Sequence, residues 1–160
     1  MKTILLIDDD LATLEVINES LRPHFRTRIA TRGGKGLELA RLSPAPDLVL
    51  LDLELPDMNG YQVCSALKRD VATADIPVIF LSSHSDIADI TRGLELGAVD
   101  YVPKPVAPPI LLARVRTQLR LREAQIHLAD RNLHLESLVH KRTRDLEAKT
   151  LDLQRNQELT

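Results

Sequence analysis

Residues 47–60 read Asp-Leu-Val-Leu-Leu-Asp-Leu-Glu-Leu-Pro-Asp-Met-Asn-Gly. Four aliphatic residues, Leu48 to Leu51, run without interruption into an acid, Asp52, and then into a loop dense in turn formers, Leu55 to Gly60. A continuous aliphatic run of this length reads as a strand buried on both faces, the mark of a parallel sheet. The same grammar recurs on either side. Ile4-Leu5-Leu6-Ile7 runs into Asp8, Asp9 and Asp10; Val78-Ile79-Phe80-Leu81 runs into Ser82 and Ser83; Tyr101-Val102 leads into Lys104. Ligands of such sheets bind outside the carboxyl ends of the strands, so these polar residues are expected together at one edge.

Between the strands lie helical signals. Leu14, Ile17 and Leu21 recur at helical spacing over Leu11 to Leu21, with Asp10 as N-cap. Thr27 to Ala30 reads as a second strand, Gly33-Gly34-Lys35-Gly36 as a turn, and Leu37 to Leu42 as a short helix. Further helices are expected from Tyr61 to Lys68, from Asp86 to Leu96 with Gly97 as its stop, and from about Val106. Val99 to Val102 is the fifth strand. Alternating β and α units imply a flavodoxin-like (βα)5 α/β fold, a doubly wound parallel sheet of order 2-1-3-4-5 with right-handed crossovers.

The bulk numbers set limits. The 160 residues are 44% hydrophobic and 28% charged, an ordinary globular balance, but only 2% aromatic, so the core must be aliphatic. A net charge of -2 argues against a general grip on nucleic acid, and so does the lack of stacking aromatics. A single cysteine, Cys64, cannot form an internal disulfide and reads as a small buried hydrophobe. No secretory signal and no span of roughly 20 apolar residues is visible; the expected location is the cytoplasm, with no membrane partner.

From about Arg120 the pattern changes. Leu121, Leu128 and Leu135 are seven apart, and Val139, Leu146 and Leu153 continue after a step of four, as d and a positions of one heptad register. Gln118, Gln125 and Asn132 fill the earlier a positions, and Arg142, Lys149 and Asn156 the later d positions. A second stripe, Leu112, Leu119, Ile126 and Leu133, lies on nearly the opposite side. This reads as one long helix continuing the last helix of the sheet domain and pairing as a parallel homodimeric coiled coil, the alternative being a solvated single helix. The expected division is 1–119 for the sheet domain and 120–160 for the helical extension.

The strand-end residues suggest chemistry. Carboxylates gathered at one sheet edge repel each other unless a cation is present, and Asp8, Asp9 and Asp52 are a credible oxygen pocket for Mg2+, with Mn2+ as an alternative. An aspartate flanked by an ammonium, Lys104, and a hydroxyl, Ser82, has what a phosphoryl group requires, since aspartate can itself be the nucleophile. Gly33 to Gly36 is not a P-loop, because the Gly-x4-Gly-Lys-Ser/Thr spacing is absent. His127, His134 and His140 read as surface residues of the extension.

As a set, Ile-Asp-Asp at 7–9, Asp-Leu-x-Leu-Pro-Asp-Met-Asn-Gly at 52–60, Pro-Val-Ile-Phe-Leu-Ser at 77–82 and Gly-Ala-x-Asp-Tyr-x-x-Lys-Pro at 97–105 make the segment from Lys2 to about Gln118 resemble the receiver domain of two-component response regulators. The resemblance implies that Asp52 is the phosphoacceptor and that Asp9 binds Mg2+ directly, with Asp8 assisting through water. The backbone carbonyl of Glu54 would be a further ligand. It also implies Ser82 as a switch hydroxyl, Tyr101 as a switch aromatic, Lys104 as the partner of the phosphoryl group, and a cis Lys104-Pro105 bond. Its donor would be a sensor histidine kinase or phosphotransfer protein. Ser82 stands where threonine is commoner, and Pro103 removes a backbone donor just before Lys104. Glu54 and His84 hold positions flanking the hydrolytic water in the family, although His84 also reads as a plain loop residue.

Two other functions compete. A haloacid-dehalogenase-like phosphatase also forms an aspartyl-phosphate, but it wants Asp-x-Asp after its first strand, and Asp52-Leu53-Glu54 lacks the second aspartate. A dimerising scaffold with a degenerate site is opposed by the complete acidic set. The expectation is a signalling module and not a turnover enzyme, with an output domain, such as a cyclic-dinucleotide enzyme or a kinase, beyond Thr160.

Overall fold

The computed structural model describes residues 1–83 and 86–158, so His84 lies outside the described residues. Strands and helices alternate: β1 (Thr3–Ile7), α1 (Leu11–Leu21), β2 (Arg26–Ala30), α2 (Gly33–Ala40), β3 (Leu48–Asp52), α3 (Gly60–Arg69), β4 (Val78–Ser82), α4 (Ile87–Glu95), β5 (Asp100–Pro103) and α5 (Pro108–Glu158). The five strands form one parallel sheet in the order β2-β1-β3-β4-β5, the flavodoxin-like order expected from the sequence. Register is set by the aliphatic runs themselves: Ile7 pairs with Leu51, Leu51 with Phe80, and Phe80 with Tyr101.

Every residue of β1, β3 and β4 is buried. Because side chains alternate across a strand, the runs feed two cores. Leu5, Ile7, Val49, Leu51, Val78 and Phe80 pack with Ala40 of α2 and Val63, Cys64 and Leu67 of α3. Ile4, Leu6, Leu48, Leu50, Ile79 and Leu81 pack with Leu14, Ile17 and Leu21 of α1 and Leu111, Val115 and Leu119 of α5. Helices therefore cover both faces, which is why no polar residue interrupts these strands. Cys64 is fully buried, and burial raises its thiol above the ordinary range.

Most boundaries shift by one or two residues, and two helix starts depart furthest from the sequence expectation. Gly33 to Gly36 is not a turn but the first turn of α2; its amides find their acceptor in a remote carboxylate, described below. The last helix begins at Pro108, not Val106, where proline's fixed φ and missing N–H cost nothing at the first helical position. Both Lys104-Pro105 and Ser43-Pro44 are cis.

The chain divides into two compact units, Met1–Arg120 and Leu121–Thr160. The first holds the sheet. The described part of the second is entirely helical, with its apolar side chains, Leu121 to Leu153, exposed. His127, His134 and His140 are exposed there as well.

Candidate functional site

The carboxyl ends of β1, β3 and β5 open on a cleft of about 760 Å3 lined by Asp9, Asp10, Asp52, Glu54, Ser83 and Lys104, with Ala12, Thr13 and Val16 of α1 and Leu55, Pro56, Pro105 and Val106 as its apolar rim. One carboxylate oxygen from each of Asp8, Asp9 and Asp52 lies within 4.8 Å of the others. These three come together because β1 and β3 are neighbours in parallel register, so that both strands end on acids at the same level.

The three acids are not equivalent. Asp9 is exposed and Asp8 fully buried, while the Asp52 side chain is one-tenth exposed. Oδ1 of Asp8 accepts the backbone N–H of Asp10 at 2.9 Å. Its Oδ2 is buried and lies 2.9 Å from Nζ of Lys104, in an ion pair. Lys104 also sits 3.2 Å from Oδ2 of Asp52. A single ammonium thus serves two carboxylates, and the charge balance shows in the acid constants. Burial, then the charge on Asp8, pushes Asp52 up to about 6, although Lys104 opposes both. Burial pulls the Lys104 ammonium down, but the two acids outweigh it, and its pKa is raised.

Three carboxylates sharing one ammonium, with an oxygen of each within 4.8 Å of the others, form a hard donor set that suits a small divalent cation. The residues present therefore fit such an ion.

The switch residues stand apart from this cleft. Ser82, buried at the end of β4, lines a smaller cavity with Leu53, Phe80, Asp89, Ile90, Leu94, Asp100 and Tyr101, while its neighbour Ser83 faces the acidic cleft. Tyr101 is half-buried, and from α5 Arg114 donates to its carbonyl and lies 5.4 Å over its ring. Pro103 is the last residue of edge strand β5, opposite Ser82; the following amide, that of Lys104, donates to the Ser82 carbonyl at 2.8 Å and carries the lysine to the cleft.

The loop after Asp52 turns sharply. Gly60 donates to the Leu53 carbonyl at 2.7 Å, and a Cβ there would meet the Asp52 carbonyl oxygen at 2.3 Å, so only glycine fits. Asn59 caps α3 in a reciprocal box with Gln62. Asp57 accepts the N–H groups of Gly33 and Gly34 at 2.8 and 2.9 Å, which hold its carboxyl below the usual range. This remote cap was not legible in the sequence. Ser83, too, was visible only as a second hydroxyl after β4.

Residues 4–116 match the family described as the response regulator receiver domain. The chain belongs to that family. Among its curated relatives, the "Probable cyclic di-GMP phosphodiesterase" of Vibrio cholerae is 40% identical over 91% of this chain and 33% of its own length. The DNA-binding response regulator MtrA of Mycobacterium tuberculosis is 39% identical over 89% of this chain and 62% of its own. Among solved structures, the BeF3-activated receiver domain of DrrB, from Thermotoga maritima, is 37% identical with a TM-score of 0.67, and covers 75% of this chain and 98% of that one. The chain spans about one third to under two thirds of the length of these curated relatives. As a receiver domain it is a signalling module of two-component systems. Among the described residues no helix is long and apolar enough to cross a membrane.

Proposed function

We propose that Asp52 accepts a phosphoryl group from a sensor histidine kinase or phosphotransfer protein. A carboxylate oxygen of Asp52 attacks the phosphorus, the phosphorus–nitrogen bond of the donor phosphohistidine breaks, and its electron pair returns to the imidazole. The observation that carries this reading is the position of Asp52 in the lining of the cleft, with Lys104 at 3.2 Å and two further acids within 4.8 Å. Lys104 neutralises phosphoryl oxygens in the transferring group. Asp9, Asp52 and the Glu54 carbonyl would hold Mg2+ or Mn2+, with Asp8 assisting through water, and the ion would supply further positive charge. Ser82 and Tyr101 respond across their shared cavity, so that phosphorylation favours one of two arrangements of the β4–β5 face.

The test is beryllium fluoride with Mg2+, a mimic of the acyl phosphate, followed by calorimetry. Saturable binding is expected in the native chain and none in Asp52→Ala; equal binding by the variant would overturn the assignment.

The second unit, residues 120–160 in this reading, joins the receiver to an output domain as a homodimeric coiled coil. The exposed heptad leucines support it. The relatives leave the output open, since one is named as a phosphodiesterase and another as DNA-binding. Light scattering on the full chain should give a dimer, and Leu128→Lys with Leu146→Lys a monomer; equal masses would refute the coiled coil.

A further inference from the structure

The Gly33 to Gly36 stretch plays no part in phosphoryl chemistry, yet it grips the loop that follows the acceptor. The first amides of a helix have no partner within it. In α2 the N-cap residue, Arg32, supplies no side-chain bond. Both oxygens of Asp57 do so instead, from a loop 23 and 24 residues away in sequence. The loop is also seated sterically. A Cβ at Gly33 would lie 2.4 Å from Cγ of Met58, so Met58 occupies the space that any other residue at 33 would fill.

The same helix touches the other limb of the cleft. A Cβ at Gly36 would lie 2.4 Å from Cδ1 of Ile7, the residue before Asp8. α2 therefore lies against the strand that carries Asp8 and Asp9 and holds the loop that carries Glu54. The loop's other end is fixed by Gly60 against Leu53 and by the Asn59–Gln62 box. Between these anchors sits Glu54, whose N–H points to Oδ1 of Asp52 at 3.4 Å. Glu54 also bridges Asn59 in the antiparallel sense, and the Asp57 bonds, with Met58 beside Gly33, tie the segment to α2.

We propose that Asp57 is a positioning residue for the cation site: by capping α2 it holds the Glu54 carbonyl in place for the metal. The proposal rests on the reading of that carbonyl as a ligand. Its physical basis is preorganisation. A ligand on a loop already ordered costs the incoming ion no loop entropy, and a freed loop must be ordered at the moment of binding. Removing groups that orient metal ligands weakens affinity by about 10–100-fold, and the exposure of Asp57 puts this case at the lower end.

The test is Mg2+ alone titrated into the full chain by calorimetry, with hydrogen exchange followed at the amides of Glu54, Leu55, Asp57 and Met58. Asp57→Ala should weaken Mg2+ binding about tenfold and speed exchange there. Asp57→Asn, which keeps one acceptor, should recover part of both. Arg41→Ala removes another exposed contact beside α2, the 2.8 Å bridge to Asp70, and should leave Mg2+ affinity unchanged. If Asp57→Ala binds Mg2+ like the native chain while melting lower, Asp57 is only a helix cap and the proposal fails. If the native chain itself binds no Mg2+, the metal reading fails and takes the proposal with it. If Mg2+ binds but Asp57→Ala speeds exchange without changing affinity, loop order does not set affinity and the proposal fails, while the metal reading stands.

Discussion

β3 and the far part of α5 are built from much the same residues and meet opposite fates. Leu48, Val49, Leu50 and Leu51 are completely buried, whereas Leu121, Leu128, Leu135 and Leu146 are 51 to 65% exposed. Hydrophobicity does not separate them; spacing does. Four consecutive aliphatics on a strand meet both faces of a sheet and find their cover within the chain. Leucines seven apart on a helix form one narrow seam, which a single helix cannot cover by itself. The strand leucines of the first unit are covered within the chain, whereas the leucines of the second are exposed among the described residues.

Substitutions test this contrast. The largest effect is expected in the first unit. Leu50→Ala should cost about 2–5 kcal/mol in urea denaturation, because the cavity between the sheet and α1 and α5 cannot collapse; a cost under 1 kcal/mol would break the contrast.

Next comes polar burial. Asp52 has its pKa raised to about 6 by the fold, from 3.8. The folded state therefore holds more protons than the unfolded chain between these values, and stability falls as pH rises through them. Asp52→Asn removes the penalty. At 1.36 kcal/mol per pKa unit, discounted for water in the open cleft, the variant should be more stable by about 1–2 kcal/mol above pH 6. The gain should fade towards pH 4; a gain that persists there would point to a cause other than charge.

Gly97 ends α4 with φ at +108°, so Gly97→Ala should cost roughly 1–2 kcal/mol in thermal melts. The smallest effect belongs to the seam. Leu128→Ala should change the stability of dilute protein by less than about 0.5 kcal/mol, and its cost should grow with protein concentration as a second copy covers the helix.

Strand existence, order and the convergence of Asp8, Asp9, Asp52 and Lys104 were all legible, because uninterrupted aliphatic runs leave few alternatives to a doubly covered parallel sheet. α2 was not. Three glycines in four residues have poor helix propensity, and what overrides them is a carboxylate from another loop together with two tight seats against Met58 and Ile7. No local reading contains that information. The two hydroxyls after β4 posed a similar problem: the residues were plain, but which of them faces the cleft depends on strand phase, and it is Ser83.

Pro103 has a consequence for how these molecules meet one another. It closes edge strand β5, which is only four residues long, with a residue that cannot donate to a neighbouring backbone. The other edge, β2, carries exposed Arg26, and its Arg28 is drawn away to the carbonyls of Leu39 and Pro44. Short length, proline and charge are the devices by which sheet margins refuse a foreign strand. Both margins thus carry features that disfavour strand addition and, with it, cross-β assembly.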